Sequence, residues 1–485
     1  MQPKLQSSSP PGRRGCYHRL FPRRAHLNRT ASRGPPLPGR NTIFAALLIA
    51  GIFLAFAGDG LRAYFTPDDM MNLYGAWFRP LAESDRPVGA LFYRILFTAF
   101  GLNPLPYRIA CFAILSANLT LLYILCLRLS GSREVAALAC LLGAYHAHLA
   151  DLYYSTGAVF DLLCFLFYFG ALALYIQVRE RAVPWRILVL ALYLCALGAK
   201  EMAVTLPLFL ALYDLIYYPP SPRLASALPW VARELRRLWP FALLTAAFIL
   251  YKTTGPARMT TNAAYLPSFS WQVLAANWRH YAYDLFYGAI QFTGLRIVLL
   301  WAVVLALVIV LRKRDLLFAA CVILLGILPV VLIAERGFYA IYLTLPGWYL
   351  LAARSLTTAR HRLLPRAGAA APAILFLLVA ACLVPLHLRQ KPRGNGWVAE
   401  AHESVRCTLQ PLRYYDVPRA AKVLVLNDPY PDGDNILLAM FRLSFRDEDI
   451  QVRHLKSPSA PPPGEVYDRV FTYAHQQLTL LPSAR

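Results

Sequence analysis

Apolar runs recur along the chain from Thr42 to Leu388, broken by short stretches that carry Arg, Lys, Asp or Glu. A bilayer core of about 30 Å is crossed by a helix of roughly 20 predominantly apolar residues. On that measure the runs predict spans at about 42–58, 106–128, 135–150, 156–178, 187–200, 202–218, 239–252, 287–311, 316–334, 338–353 and 370–388. The residue-by-residue alternation of a membrane β-barrel is missing. The expected fold is therefore an all-α polytopic membrane protein of about eleven transmembrane helices. Between the first two spans, "MMNLYGAWFRPL" and "RPVGALFYRILFTAFGLNP" are amphipathic, the second carrying Arg86 and Arg94, and both suit helices lying at the bilayer surface.

The pattern changes after residue 388. "KVLVL" (Lys422 to Leu426) reads as a strand, "NDPYPDGD" as a turn, "NILLAMFRLSF" as a helix and "DIQVRHL" as a second short strand. "SPSAPPPGE" (Ser457 to Glu465) reads as a loop or linker. Residues 389–485 are thus expected to form a small α/β cap on a 42–388 membrane domain.

Composition agrees: of 485 residues, 58% are hydrophobic and 15% charged. The net charge of +23 is uneven, because residues 1–41 hold Lys4 and a series of arginines without one acid. Rich in Pro, Ser and Gly, this tail is expected to be disordered and cytoplasmic, touching anionic lipid rather than nucleic acid. Its basic region is too long for a cleaved signal peptide. With the N-terminus inside, inner loops hold Arg128, Arg133, Arg179, Arg181, Arg186, Arg223, Arg233, Arg236, Arg237, Arg312, Lys313, Arg314, Arg354, Arg360, Arg362 and Arg366. That asymmetry supports eleven crossings and an outer C-terminal cap. Nine cysteines occur without a CxxC or Cys/His cluster, so neither a disulfide framework nor a zinc site is indicated.

Candidate chemistry collects on the outer side. Asp68 and Asp69 follow the first span in "FTPDD". "YHAHLADLYYSTGAVFDLL" places His146, His148, Asp151 and Asp161 where spans three and four meet. Ionisable groups at such depth usually face a cavity. His148 and Asp151 are three apart and could share a helix face, and a divalent metal ion is allowed if Asp151 joins Asp68 or Asp69. Lys200–Glu201 and Glu335–Arg336 occupy turns on the same side, where adjacent charges either satisfy one another or line a cavity. Cations at such a rim suit a phosphate or pyrophosphate.

In order, "FTPDD", "RPVGALFYRILFTAFGLNPLPYRI" with Asn118, "YHAHLAD…FDLL", "GAKEMAVTLPLFLALYDL" and "AERGFYAIYLTLPG" resemble the membrane domain of GT-C class glycosyltransferases. The likeness is to the tetratricopeptide-containing transmembrane O-mannosyltransferases and their bacterial relatives, over about residues 42–355. It implies a dolichyl- or polyprenyl-phosphate sugar donor, an inverting transfer and a catalytic acid in the first outer loop. Carried over, Asp68 or Asp69 is the general base, with Asp68 first. Arg86, Asp151, Asp161, Lys200–Glu201 and Arg336 fall at matching family positions; from charge placement Lys200, Arg336 and Arg86 are expected to hold the donor phosphate, with Asp151, Glu201, Glu335, His146 and His148 in support. The chain departs from the family in lacking the tetratricopeptide array and in reading "AVFD" where an Arg precedes the acid.

The expectation is a membrane glycosyltransferase acting on a glycan, lipid or protein hydroxyl. Its rivals are a flippase for lipid-linked sugars, which should show broken spans in symmetric pairs, and a membrane scaffold. The Arg-, Ala- and Pro-heavy composition suggests a GC-rich bacterial source, which would place the site at the periplasmic face of an inner membrane.

Overall fold

A computed structural model describes residues 40–179, 183–221, 227–255, 258, 263–366, 368, 370–430, 435–456, 465–474 and 477–481. The basic tail up to residue 39, Arg181, Arg223, the end of the "NDPYPDGD" turn and most of the 457–465 stretch lie outside the described residues.

The helices run in chain order as α1 (Arg40–Ala57), α2 (Pro67–Phe78), α3 (Pro87–Phe100), α4 (Pro104–Ser130), α5 (Arg133–Gly143) and α6 (Ala150–Tyr154). They continue as α7 (Val159–Val178), α8 (Val183–Ala199), α9 (Leu206–Tyr217), α10 (Ala227–Thr254), α11 (Trp271–Leu285) and α12 (Gly294–Leu311). The remainder are α13 (Arg314–Gly326), α14 (Leu328–Val331), α15 (Leu345–Leu363), α16 (Ala371–Leu412) and α17 (Ile436–Phe445).

The chain is a multi-pass membrane protein. Among the described residues six helices are long and apolar enough to cross a bilayer, or seven if α5 and the Ala147–Tyr154 segment, bent by 66°, form one broken span. The other predicted spans fall on α8, α9, α10 and α15, which are shorter or carry charge. α9 has 12 residues, while α10 carries Arg233, Glu234, Arg236 and Arg237. Length and composition do not make these four crossings, so the count of eleven stays a proposal. Some of their charges are nonetheless paired: Arg179 meets Asp214 at 2.5 Å and Glu234 at 3.2 Å, tying α7, α9 and α10 together.

Beyond the membrane helices lies a four-stranded sheet of β1 (Lys422–Leu426), β2 (Gln451–Leu455), β3 (Arg469–Ala474) and β4 (Gln477–Leu480). Its order is β2-β1-β3-β4, with β1 parallel to both neighbours and β4 antiparallel to β3. Val423 to Leu426 are buried because β1 is central, which explains a continuous apolar run instead of alternation. α17 connects the sheet to the membrane domain. Arg442 donates to the Tyr74 hydroxyl at 2.7 Å, and the Arg446 guanidinium lies 5.8 Å from the Trp77 ring and 5.1 Å from that of Phe97. These rings belong to α2 and α3, so the cap rests on the helices between the first two spans.

Candidate functional site

α2 is built around a capping box. The Thr66 hydroxyl accepts from the Asp69 amide at 3.3 Å, and the Thr66 amide donates to Asp69 Oδ2 at 2.8 Å. Pro67 in the first turn fixes the entry. Asp69 Oδ1 also accepts from Ser155 Oγ at 2.9 Å and from the Gly157 amide. Asp69 is 0% exposed, and all its contacts face inward. Its neighbour behaves differently: Asp68 is exposed and opens into a cavity of about 550 Å³. One carboxylate fastens the helix, and the other is left available.

The turn after α6 is held by Arg108, wholly buried in α4. Its guanidinium donates to Gly60 O at 3.1 Å, to Thr156 Oγ1 at 3.2 Å and to Tyr153 O. That turn delivers Gly157 against both carboxylates, where a Cβ would overlap Asp68 Oδ2 and lie 3.2 Å from Asp69 Oδ1. A side chain there would push the Asp68 carboxylate aside and crowd Asp69.

Three further elements complete the wall. Arg86, at the N-terminus of α3, grips Glu201 through Nε at 3.1 Å and Nη2 at 2.9 Å, and its guanidinium lies 5.3 Å from the Phe160 ring. Lys252 approaches the same Glu201 at 3.4 Å. Lys200 Nζ pairs with Asp161 at 2.5 Å and sits 5.1 Å from the Tyr339 ring. Arg336 lies over Tyr265 at 4.3 Å and donates to Ala264 O at 3.3 Å. Thus Lys200 and Glu201 do not neutralise one another. Each is paired across the cavity wall with a different element.

The electrostatics follow from enclosure. The surrounding protein, together with Asp69, pushes the Asp68 carboxyl above its ordinary value, although Arg86, Asn72 and Lys200 pull it back. Burial likewise raises Asp69 against its hydrogen bonds and Arg108. Burial alone would raise Glu201 too, but the Arg86 guanidinium overrides it and holds this acid down at about 2.

Asp68, Arg86, Asp151, Asp161, Lys200, Glu201 and Arg336 therefore line one cavity. The other candidates lie elsewhere. His146 stacks on Tyr287 at 4.1 Å and on Phe338 at 4.7 Å. His148 pairs with Asp284 at 3.2 Å rather than with Asp151, and the exposed Glu335 meets His280 at 3.4 Å. The 66° bend between α5 and the following segment is what turns the two histidines toward α11. Among the described residues no group of three or more His, Cys, Asp or Glu side chains is arranged to hold a metal ion.

Sequence reasoning missed Arg79, Arg258 and Tyr265, which also line the cavity, and Lys252 behind it. Arg79 was findable: with Asp68, Asn72 and Gly75 it follows a helical spacing of 4, 3 and 4 residues, one face of α2. Arg258 and Tyr265 stand between α10 and α11, in a stretch whose sequence carries no periodic signal.

No family model matches the chain, and no curated protein does. The chain is similar to the crystal structure of ArnT from Cupriavidus metallidurans bound to undecaprenyl phosphate. The two share 14% sequence identity over 84% of this chain and 85% of that one, with a TM-score of 0.47. At that distance the chemistry has to be argued from this chain's own residues.

Proposed function

We propose that the chain is an integral-membrane glycosyltransferase that moves a sugar from a polyprenyl-phosphate donor to a hydroxyl of a glycan, lipid or protein acceptor. The carrying observation is the convergence of an available carboxylate, Asp68, with Lys200, Arg86 and Arg336 around one cavity. Asp68 takes the acceptor proton as the hydroxyl oxygen attacks C1, and the C1–phosphate oxygen bond breaks. A single displacement of this kind inverts C1. The departing lipid phosphate gains negative charge, which nearby cations stabilise. Arg336 suits that role best: Lys200 and Arg86 are committed to Asp161 and Glu201, whereas Arg336 has no carboxylate partner among the described residues. The raised position of Asp68 favours proton uptake nearer neutral pH. The outer, periplasmic placement of the cavity and a mannose-like hexose belong to this same proposal.

Purified full-length protein in nanodiscs, given radiolabelled undecaprenyl-phosphate mannose and related hexosyl donors together with a membrane extract that supplies glycan, lipid and protein hydroxyls, should release free undecaprenyl phosphate. Asp68→Asn should stop that release without lowering the melting temperature. Undiminished donor consumption by Asp68→Asn sinks the proposal, as does failure of the wild type to consume any donor.

A further inference from the structure

A second cavity, of about 630 Å³, opens between α1, α4, α5 and the first turns of α16. Phe44, Ile49 and Phe53 form one wall and Leu119 and Tyr123 another, with Phe376 across from them. Phe53 packs its ring against Phe112, with centroids 5.6 Å apart. It lies far from the charged cavity. Arg108 of α4 holds the turn beside that cavity, and Tyr123 follows about 22 Å further along the same helix at a 1.5 Å rise per residue.

The wall offers little to a polar ligand. Ser116 Oγ donates to Phe112 O at 2.8 Å, Thr120 Oγ1 to Ser116 O at 2.9 Å and Cys140 Sγ to Leu119 O at 3.4 Å. These three polar groups are thus satisfied by helix carbonyls, which leaves the Tyr123 hydroxyl as the polar tip of an otherwise apolar wall. Charge enters only at the mouth, through Arg133 and Glu134. Arg360 binds Glu134 through Nε at 2.9 Å and Nη2 at 2.8 Å, neutralising the acid. Arg133 is exposed and has no carboxylate partner among the described residues.

We infer that this groove holds one hydrocarbon chain of an anionic phospholipid whose phosphate rests on Arg133, a lipid site separate from the charged cavity. An apolar slot between membrane helices with a cation at its mouth matches both parts of that molecule.

Delipidated full-length protein would be titrated with phosphatidylglycerol and with diacylglycerol of the same chains, and binding read by native mass spectrometry. Phosphatidylglycerol should bind about five-fold more tightly, the weight of one cation at an anionic surface. Arg133→Gln should erase that difference, and Ala137→Trp, which fills the groove, should remove binding of both lipids. If Ala137→Trp does not fold, Ala50→Phe fills the same groove from α1. A photoreactive benzophenone residue replacing Phe44 should cross-link phosphatidylglycerol. Equal binding of the two lipids, a preference that survives Arg133→Gln, binding that survives groove filling, or a cross-link to a second copy of the chain would each overturn the inference. None of these readouts depends on sugar transfer.

Discussion

Replacing Asp68 and Asp69 by asparagine, one at a time, separates two tasks that adjacent carboxylates divide here. Asp69 accepts from the Thr66 amide at 2.8 Å, from Ser155 Oγ at 2.9 Å and from the Gly157 amide. Asparagine keeps one oxygen, so at least one of these buried donors would face an amide NH2. A hydrogen bond to a charged acceptor contributes about 1.5–3 kcal/mol, and an orphaned buried donor costs about 1–3 kcal/mol. Allowing for the overlap of those two effects, Asp69→Asn should destabilise by about 2–4 kcal/mol. Asp68 faces the cavity, so Asp68→Asn should stay within about 0.5 kcal/mol of wild type. As the general base it should instead lose about 10²–10⁴-fold in rate. The assay pairs thermal unfolding in detergent with single-turnover donor consumption on the same preparations. A stable but inactive Asp69→Asn beside an active Asp68→Asn would refute the division of labour.

Arg86→Gln removes a cation that lowers Asp68, so the acid limb of kcat/KM, already above the ordinary 3.8, should move to still higher pH; an unmoved or lowered limb argues against Asp68 as the base. The same variant bears on stability. Glu201 is held at about 2 against an ordinary 4.5, so its contribution is full above pH 4.5 and lost as pH falls toward 2. Arg86→Gln should therefore lose less stability than wild type across that window in acid titrations followed by circular dichroism. Gly157→Ala puts a methyl into the two carboxylates and should cost about 1–3 kcal/mol by thermal melt as well as most of the activity. Arg336→Gln should lower kcat about tenfold or more while leaving the melt unchanged, measured by initial rates over donor concentration.

Much of the membrane architecture was legible because apolar run length and bilayer thickness are tied by one helix rise. "KVLVL" was legible for a related reason, since a central parallel strand is buried on both faces and shows no alternation. β3 and β4 were not foreseen: "RVFTYA" and "QLTL" are short and mixed, and pairing with β1 rather than their own pattern makes them strands. In the site, Asp68, Arg86, Lys200 and Arg336 were visible as charges beside apolar runs, where few innocuous reasons keep a charge. What the linear order could not reveal is partner choice. Lys200 and Glu201 are neighbours in sequence, yet the extended backbone at Lys200 sends their side chains to Asp161 and to Arg86. His148 and Asp151, three apart, are spaced to share a helix face, yet the bend after α5 pairs His148 with Asp284 instead.

α16 runs unbroken for 42 residues through Pro385, Pro392 and Pro411, from a membrane-spanning half to a half that supports the cap. At 1.5 Å per residue it is about 63 Å long, roughly twice a bilayer core. Such a rod transmits rotation as well as distance. Adding one residue after Gln390 would advance the cap by only about 1.5 Å but swing it by about 100°. Arg442 and Arg446 would then point away from Tyr74 and Trp77, and α2 would lose its outer brace. The phase of this helix, more than its length, is what keeps the two halves of the molecule in step.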